Sequence, residues 1–214
     1  MTIRTGHPLA YPALVTIGTL AITIAWVPIA DPEQVAMLIA VAAVILGYTG
    51  FRFAVAVGYL PAGVRGREVA VRRVRQQHRL VSRSWLEFTV NGRNRWLPVY
   101  FEPGLVTLTP QLAEIDVRTM SIDGRRVYPS GRVRDSEPVG RLVDNPERAD
   151  PEAIGRTGVG RRVLLDAQSA VVGPFAGLLW VYVAGGGVVA FVAATVVGAA
   201  TATWLSAVRG SDPS

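Results

Sequence analysis

The chain has 214 residues and no cysteine, which excludes disulfides, thiol catalysis and zinc sites built on cysteine. Hydrophobic residues make up 50% of the chain and charged residues only 18%, where about a quarter is usual in soluble domains. The formal net charge of +6 comes from one segment, Val64–Arg83, in which seven arginines stand against one glutamate. This composition indicates membrane-spanning segments around a polar domain rather than a generally basic protein.

The first predicted element is a pair of membrane-spanning helices within residues 1–63. Leu14–Ala30 has no charged side chain and, with its uncharged lead-in from Leu9, reaches the roughly 20 residues that cross a bilayer. Asp31-Pro32 is typical of a helix end and restart, and Val35–Phe51 is a second apolar run. A cleaved signal peptide is not expected, because the apolar stretch is too long and no soluble domain directly follows it.

Arg52 interrupts the apolar residues that continue to Leu60. In one interpretation the helix leaves the hydrocarbon near Arg52, whose side chain extends to the lipid headgroups. In the other, Arg52 is a charge buried within the membrane that serves a partner or a substrate path. The rarity of charges in the middle of a bilayer favours the first interpretation.

The basic segment of residues 64–83 is predicted to mark the cytoplasmic side of the membrane, because arginine excess beside a span does so. The acidic turn Asp31–Gln34 is then outside, in a multi-pass protein of the cytoplasmic membrane. The segment has weak helical amphipathicity, and its arginines are expected to contact anionic lipid headgroups. Nucleic acid is not an expected partner, because no stacking aromatics or binding motif accompany the charge. The residues expected to contact headgroups are Arg72, Arg73, Arg75 and Arg79.

Residues 84–168 are predicted to form a small cytoplasmic antiparallel β domain, either a sandwich or a barrel. Asn91-Gly92 separates two runs of aromatic and β-branched residues, which is the strongest short signal for a β-hairpin. A turn is expected at Asp123-Gly124. Further strands are expected at Leu105–Thr109, Glu114–Met120, Arg126–Tyr128, Gly131–Arg134, Gly140–Val143 and Val163–Asp166.

This domain lacks a recognisable catalytic motif, so we expect neither enzymatic activity nor a cofactor. The glycines within residues 155–160 lack the lysine and hydroxyl residue of a phosphate-binding loop. The acidic loop DNPERADPE lacks the spacing of a calcium loop, and the two histidines have no acidic or nucleophilic neighbour. The acidic side chains of that loop are Asp144, Glu147, Asp150 and Glu152.

The second apolar block, Ala170–Val208, has no charge and is too long for one span at about 1.5 Å per helical residue. Gly185–Gly187 divides it, and Trp180 and Tyr182 just before the glycines suit a turn at the membrane surface. We therefore expect a second hairpin, Ala170–Ala184 and Val188–Val208, within residues 169–214. A single tilted span, which makes three spans in all, is the alternative.

Small residues lie along the predicted spans, notably Gly47, Gly50 and Gly198. Helices in lipid associate through close packing of small residues, so these positions are expected to contact a partner. Packing of the spans against one another within the chain is the alternative use of the same residues.

The plan of hairpin, β domain and hairpin, with the stretches LLWVYVAGGG (178–187) and AVRGSDPS (207–214), resembles the LucB family of membrane subunits. These subunits are found with the Mce-type lipid importers of mycobacteria. The resemblance implies a non-catalytic accessory subunit docked on the permease of a lipid transporter. A membrane-embedded lipid-modifying enzyme and a stand-alone envelope scaffold protein are the alternatives.

Overall fold

The structure is a computed structural model that describes residues 6–64, 68–115, 118–144, 147–148, 155 and 157–214. Within these residues, five α-helices and seven β-strands follow one another as two helices, a sheet and three further helices. The helices are α1 Ala10–Ala25, α2 Pro32–Ala56, α3 Val159–Ala167, α4 Gly173–Ala184 and α5 Gly187–Val208.

The N-terminal apolar block forms the helical hairpin α1 and α2 that was predicted, and both helices are long and apolar enough to cross a membrane. After α1, the 3₁₀ turn Val27–Ile29 ends the apolar run, and the Asp31 side chain accepts a hydrogen bond from the backbone N–H of Gln34 at 2.9 Å. This cap and Pro32 at the first helical position explain why α2 starts here. The helix continues to Ala56, so Arg52 lies inside its last two turns.

The second hairpin, α4 and α5, turns at the predicted glycines, since Gly185 and Gly186 have φ values of 74° and 90°. Its first arm is longer than expected, because α3 and the 3₁₀ segment Gln168–Val172 lead directly into α4. The described residues thus contain four helical stretches long and apolar enough to cross a membrane, of 20, 25, 26 and 22 residues. A four-span arrangement is therefore possible on length and composition.

Both helical turns lie at one end of the bundle. A Cβ built on Gly186 in the second turn would stand 3.8 Å from the side-chain nitrogen of Gln34 beside the first turn. The sheet lies at the other end, where the Tyr100 hydroxyl donates to the Val208 carbonyl at 2.8 Å. The helices and the sheet thus meet at one junction, on the side opposite to the two turns.

The β domain is one curled antiparallel sheet rather than two packed sheets, with strand order β3-β2-β1-β4-β5-β6 and β7 paired to β1. Asn91-Gly92 and Asp123-Gly124 form turns as predicted, and these four residues have positive φ. The strands are β1 Glu68–His78, β2 Val81–Val90, β3 Arg93–Pro98, β4 Gln111–Ile115, β5 Met120–Ile122, β6 Arg125–Val127 and β7 Arg141–Leu142.

The core of the sheet includes a residue of α2. Leu86, Leu97 and Val99 are fully buried in this core, and Val55 from the last turn of α2 packs with them. The end of the second membrane-compatible helix therefore forms part of the hydrophobic core of the β domain, which couples the two parts of the chain.

Several sequence predictions for this region are wrong. The basic segment, expected to be weakly helical, contains β1 and the start of β2, with residues 65–67 outside the described part. Leu105–Thr109, expected as a strand, overlaps the 3₁₀ turn Pro103–Thr107. Val163–Asp166 lies in α3, and of Gly131–Arg134 only Arg134 forms a bridge, to Trp96. The strand expected at Glu114–Met120 spans residues 116–117, which are not described.

Candidate functional site

Three of the four arginines expected to contact lipid headgroups are paired with carboxylates of the chain itself. Arg72 Nε lies 2.8 Å from Glu87 Oε2 on the neighbouring strand β2. Arg75 Nη1 lies 3.1 Å from Asp144 Oδ1, and Arg73 Nη2 lies 2.7 Å from Asp212 Oδ2. Arg79 is exposed at the tip of the β1–β2 hairpin, with a φ of 55°. The basic segment is thus largely neutralised where it forms the sheet.

The pair of Arg73 and Asp212 is the centre of a buried network. Arg73 is 6% exposed and also donates to the hydroxyls of Ser84 and Ser214, at 2.8 and 2.7 Å. Burial opposes ionisation of Asp212, but the Arg73 charge and hydrogen bonds from Ser84 and Ser214 outweigh it and hold the pKa of Asp212 below its ordinary value. This network fixes the segment Ser211–Ser214 against the sheet.

A second buried network joins the same segment to the helices. The Tyr11 hydroxyl donates to Asp166 Oδ2 at 2.6 Å, and the Ser211 hydroxyl donates to the same oxygen at 2.8 Å. The Arg162 guanidinium lies over the Tyr11 ring, 4.0 Å from its centroid, and donates to the Ser211 carbonyl at 3.1 Å. These bonds hold α1, α3 and the Ser211–Ser214 segment together, which is a structural role.

Arg52 lies at the junction of helices and sheet. Its guanidinium is 5.5 Å from the centroid of the Tyr48 ring and donates a long hydrogen bond, 3.4 Å, to the carbonyl of Arg209. Its buried Nε has no hydrogen-bond partner among the described residues. Arg52 thus contributes a positive charge to the junction, beside a second arginine and without a paired carboxylate in the described part of the chain.

A cavity of about 650 Å³ opens at this junction, in a size range typical of ligand pockets. One wall is formed by the β1–β2 hairpin and the loop with Pro138 and Val139; the other is formed by helical residues. The described lining contains four arginines and no aspartate or glutamate. We call it the arginine pocket; its arginines are Arg79, Arg83, Arg134 and Arg209.

Two arginines of this pocket have an aromatic or hydroxyl neighbour, and none of the four forms an ion pair with a carboxylate among the described residues. The Arg134 guanidinium lies 5.2 Å from the centroid of the Trp85 ring, and Arg209 Nε donates to the Tyr48 hydroxyl at 3.3 Å. Burial, together with the like charges of Arg209 and Arg52, lowers the pKa of Arg83 to about 10. With four guanidinium groups and no carboxylate in its described lining, the pocket is a concentrated positive site.

An apolar groove continues from the arginine pocket along the helices. This cavity of about 480 Å³ lies between α2 on one side and α4 and α5 on the other. It extends from Trp26 and Trp180, near the two helical turns, to Leu205 at the junction. The groove and the arginine pocket share the side chains of Val172, Ala202 and Leu205. A polar, positively charged cavity thus opens into an apolar one.

The glycines expected to contact a partner have different surroundings. A Cβ at Gly198 would stand 3.0 Å from the Cβ of Ala176 on α4, so Gly198 serves packing within the second hairpin. No described atom lies within 4 Å of a Cβ built on Gly47 or Gly50. Both belong to an exposed face of α2 composed of small residues, which also includes Ala36, Ala40 and Ala43.

Arg83 lies in the predicted basic segment, whereas Arg134 and Arg209 were not among the predicted site residues; Arg209 was expected only as a cytoplasmic charge of the four-span arrangement. The position of Arg209 directly after the last apolar run was a usable signal. Within the described residues no group of three or more histidine, aspartate and glutamate side chains is placed to hold a metal ion. Asp150 and Glu152 of the acidic loop lie outside those residues.

Comparison with known proteins finds no matching family model, no similar curated protein and no similar solved structure.

Proposed function

We propose that this protein is a non-catalytic, multi-pass subunit of the cytoplasmic membrane that docks on a larger membrane complex, namely a lipid transporter of the Mce type. The observation that carries the proposal is the connection between the arginine pocket and the apolar groove. The positive cavity at the end of the membrane-compatible helices is complementary in charge to an anionic lipid headgroup, and the apolar groove is compatible with lipid hydrocarbon. The arginine pocket and the apolar groove together therefore suit a lipid, which has a charged headgroup and a hydrocarbon chain.

The distribution of charge supports an orientation with the β domain in the cytoplasm. The end of the bundle with the helical turns carries Asp31 and Glu33 and no arginine, whereas the junction carries Arg52, Arg83 and Arg209. Positive residues next to spans are retained on the cytoplasmic side. Both hairpins obey this rule in the same orientation, which favours four spans over three.

The small-residue face of α2 is the proposed docking surface. Small side chains allow the backbones of two helices to approach closely, which is the main source of helix association in lipid. Gly173, Gly177 and Gly198 are occupied by contacts between α4 and α5, whereas Gly47 and Gly50 are uncovered. We choose a lipid transporter as the partner because the order of hairpin, β domain and hairpin resembles that of the accessory subunits of Mce-type importers.

The connection between sheet and helices supports a bracing role for the β domain. The buried bonds of Asp212 and Asp166 and the insertion of Val55 into the sheet core hold the domain at a fixed position below the helices. A rigid domain in this position can contact the cytoplasmic face of a permease while α2 contacts its membrane part.

The test is affinity purification of the tagged chain from native membranes in mild detergent, followed by mass spectrometry. We expect recovery of transporter permease subunits in stoichiometric amounts, reduced at least about tenfold by Gly47→Leu or Gly50→Leu. Gly18→Leu is the matched control, because Gly18 is an equally open position on α1. Recovery of the protein alone, at monomer size, would falsify the docking proposal.

A further inference from the structure

We propose that the arginine pocket and the apolar groove together bind one anionic phospholipid. The phosphate lies among Arg83, Arg134 and Arg209, and one acyl chain lies in the groove between α2 and α5. The inference rests on the membrane location given under the proposed function, but it does not depend on docking to a partner.

The headgroup assignment follows from the missing counter-charge. Arg83 and Arg209 are half-buried, and burial together with the like charge of Arg209 lowers the pKa of Arg83, yet no carboxylate in the described residues pairs with either. Of the acids on the pocket side, Glu137 accepts from Gln76 at 3.4 Å and Asp135 pairs with Arg95 at 3.2 Å. Asp166 interacts with the charge of Arg83, but its buried carboxylate accepts hydrogen bonds from Tyr11 and Ser211 rather than from Arg83. An anionic ligand therefore adds the direct counter-charge that no ion pair supplies to Arg83 or Arg209 among the described residues.

Phosphate is the anion that best matches several converging guanidinium groups. A guanidinium presents its N–H donors in a planar fork that can bond two phosphate oxygens at once. The pocket also provides the hydroxyl groups of Ser169 and Ser206 on the helical side, which lie 2.7 Å from each other. These hydroxyls can contact the glycerol or headgroup oxygens.

The acyl-chain assignment follows from the length and lining of the groove. Its residues on α5 extend from Val189 to Leu205, which corresponds to about 24 Å of helix at 1.5 Å per residue. This length lies within a hydrocarbon core of about 30 Å. An acyl chain in this groove makes dispersion contacts with the apolar side chains of both walls.

The connection between the two cavities favours a lipid over a free anion. Val172, Ala202 and Leu205 line both cavities, so a ligand in the pocket has direct access to the groove. Free phosphate would leave the groove unfilled, and an acidic peptide would place its backbone polar groups against apolar walls, which is costly. One molecule that carries both a phosphate and an acyl chain can fill the arginine pocket and the apolar groove together.

The experiment measures lipid retained by the full purified chain in a neutral detergent, using native mass spectrometry after incubation with phosphatidylglycerol or with phosphatidylcholine. We expect one phosphatidylglycerol per chain, weaker retention of phosphatidylcholine, and no displacement by inorganic phosphate. Arg134→Gln is the principal variant because Arg134 is exposed and its loss is compatible with folding. It is expected to weaken retention about fivefold, whereas Arg93→Gln, an exposed arginine on β3, should not.

The groove is tested by Ala202→Phe, which places a ring where the two cavities meet. Retention of phosphatidylglycerol should fall at least tenfold, with Ala21→Phe on the exposed side of α1 as the control.

Equal retention of the two lipids, or no effect of Arg134→Gln, overturns the headgroup assignment. Unchanged retention by Ala202→Phe, or displacement by phosphate, overturns the acyl-chain assignment. If the wild-type chain retains no phosphatidylglycerol but still recovers its partner, the lipid site is rejected and the docking proposal stands. If it retains the lipid but recovers no partner, docking is rejected and the lipid site stands.

Discussion

Arg73 Nη2 lies 2.7 Å from Asp212 Oδ2, although the two residues are 139 positions apart in the chain. The pair joins the first strand of the sheet to the segment that follows the last helix. Both side chains are almost completely buried, and the hydroxyls of Ser84 and Ser214 complete the hydrogen bonding of the carboxylate. The relative position of the β domain and the helices depends on this contact more than on any exposed ion pair.

Asp212→Ala is expected to destabilise the folded chain by about 3–5 kcal/mol, because it leaves the Arg73 charge buried and unpaired. Thermal unfolding in mild detergent, followed by tryptophan fluorescence, measures the change. Asp135→Ala is the control: Asp135 pairs with Arg95 but its side chain is 79% exposed, so its loss should cost no more than about 1 kcal/mol. Equal effects of the two substitutions would show that the buried pair is not a principal contact.

The contribution of Asp212 should also depend on pH. The pKa of Asp212 in the folded chain is below its ordinary value, which in an unfolded chain is about 3.9. The contribution is therefore fully present above that value and is lost as the pH falls through the folded pKa. The difference in unfolding temperature between the wild type and Asp212→Asn should stay constant from about pH 8 to 5 and shrink below about pH 4. A difference that does not vary with pH contradicts this assignment.

Tyr100→Phe is expected to loosen the contact between sheet and α5. Its buried hydroxyl donates to the Val208 carbonyl at 2.8 Å, and burial raises the pKa of Tyr100 to about 12, so the donor is protonated at neutral pH. Removing the donor leaves a buried carbonyl unpaired and should cost about 1–3 kcal/mol of unfolding free energy. Tyr59→Phe, at an exposed position, should have almost no effect. If both variants unfold like the wild type, Tyr100 does not stabilise the junction.

Gly177→Ala is expected to disturb the packing of α4 on α5. A Cβ at this position would stand 2.8 Å from the backbone carbonyl oxygen of Phe191, which is closer than atoms normally approach. Overpacking of this kind costs about 1–3 kcal/mol. Gly18→Ala on α1 meets no described atom within 4 Å and should be neutral or slightly stabilising, since alanine is the better helix former. The unfolding temperatures of the two variants test this expectation. A Gly177→Ala variant as stable as the wild type would contradict the close packing of α4 on α5.

The apolar helices and the tight turns, though not α3, could be predicted because their signals are local. Hydropathy marks an apolar helix within its own residues, and Gly185–Gly187 and Asn91-Gly92 carry the backbone freedom that their turns require. The strand expected at Leu105–Thr109 is wrong because Pro103 begins a 3₁₀ turn that continues to Thr107. The fixed φ of proline suits the start of such a turn.

The strand β1 and the arginine pocket could not be predicted because they depend on distant residues. From the sequence alone, Arg72 and Arg73 are expected to be exposed charges. In the structure they pair with Glu87 and Asp212, which are distant in the sequence. Arg134 and Arg209 come from separate parts of the chain and meet only when the sheet packs below the helices. Hydropathy and local charge carry no information on such pairings.

The topology of the chain can be measured by labelling single cysteines with a membrane-impermeant maleimide, and no native cysteine has to be replaced first. Glu33→Cys and Val188→Cys lie at the two helical turns, and Asp135→Cys lies in the β domain; all three positions are exposed. We expect that Glu33→Cys and Val188→Cys react on intact cells and that Asp135→Cys reacts only after permeabilisation. Reaction of Asp135→Cys on intact cells, or protection of only one of the two turns, would contradict a four-span protein with a cytoplasmic β domain.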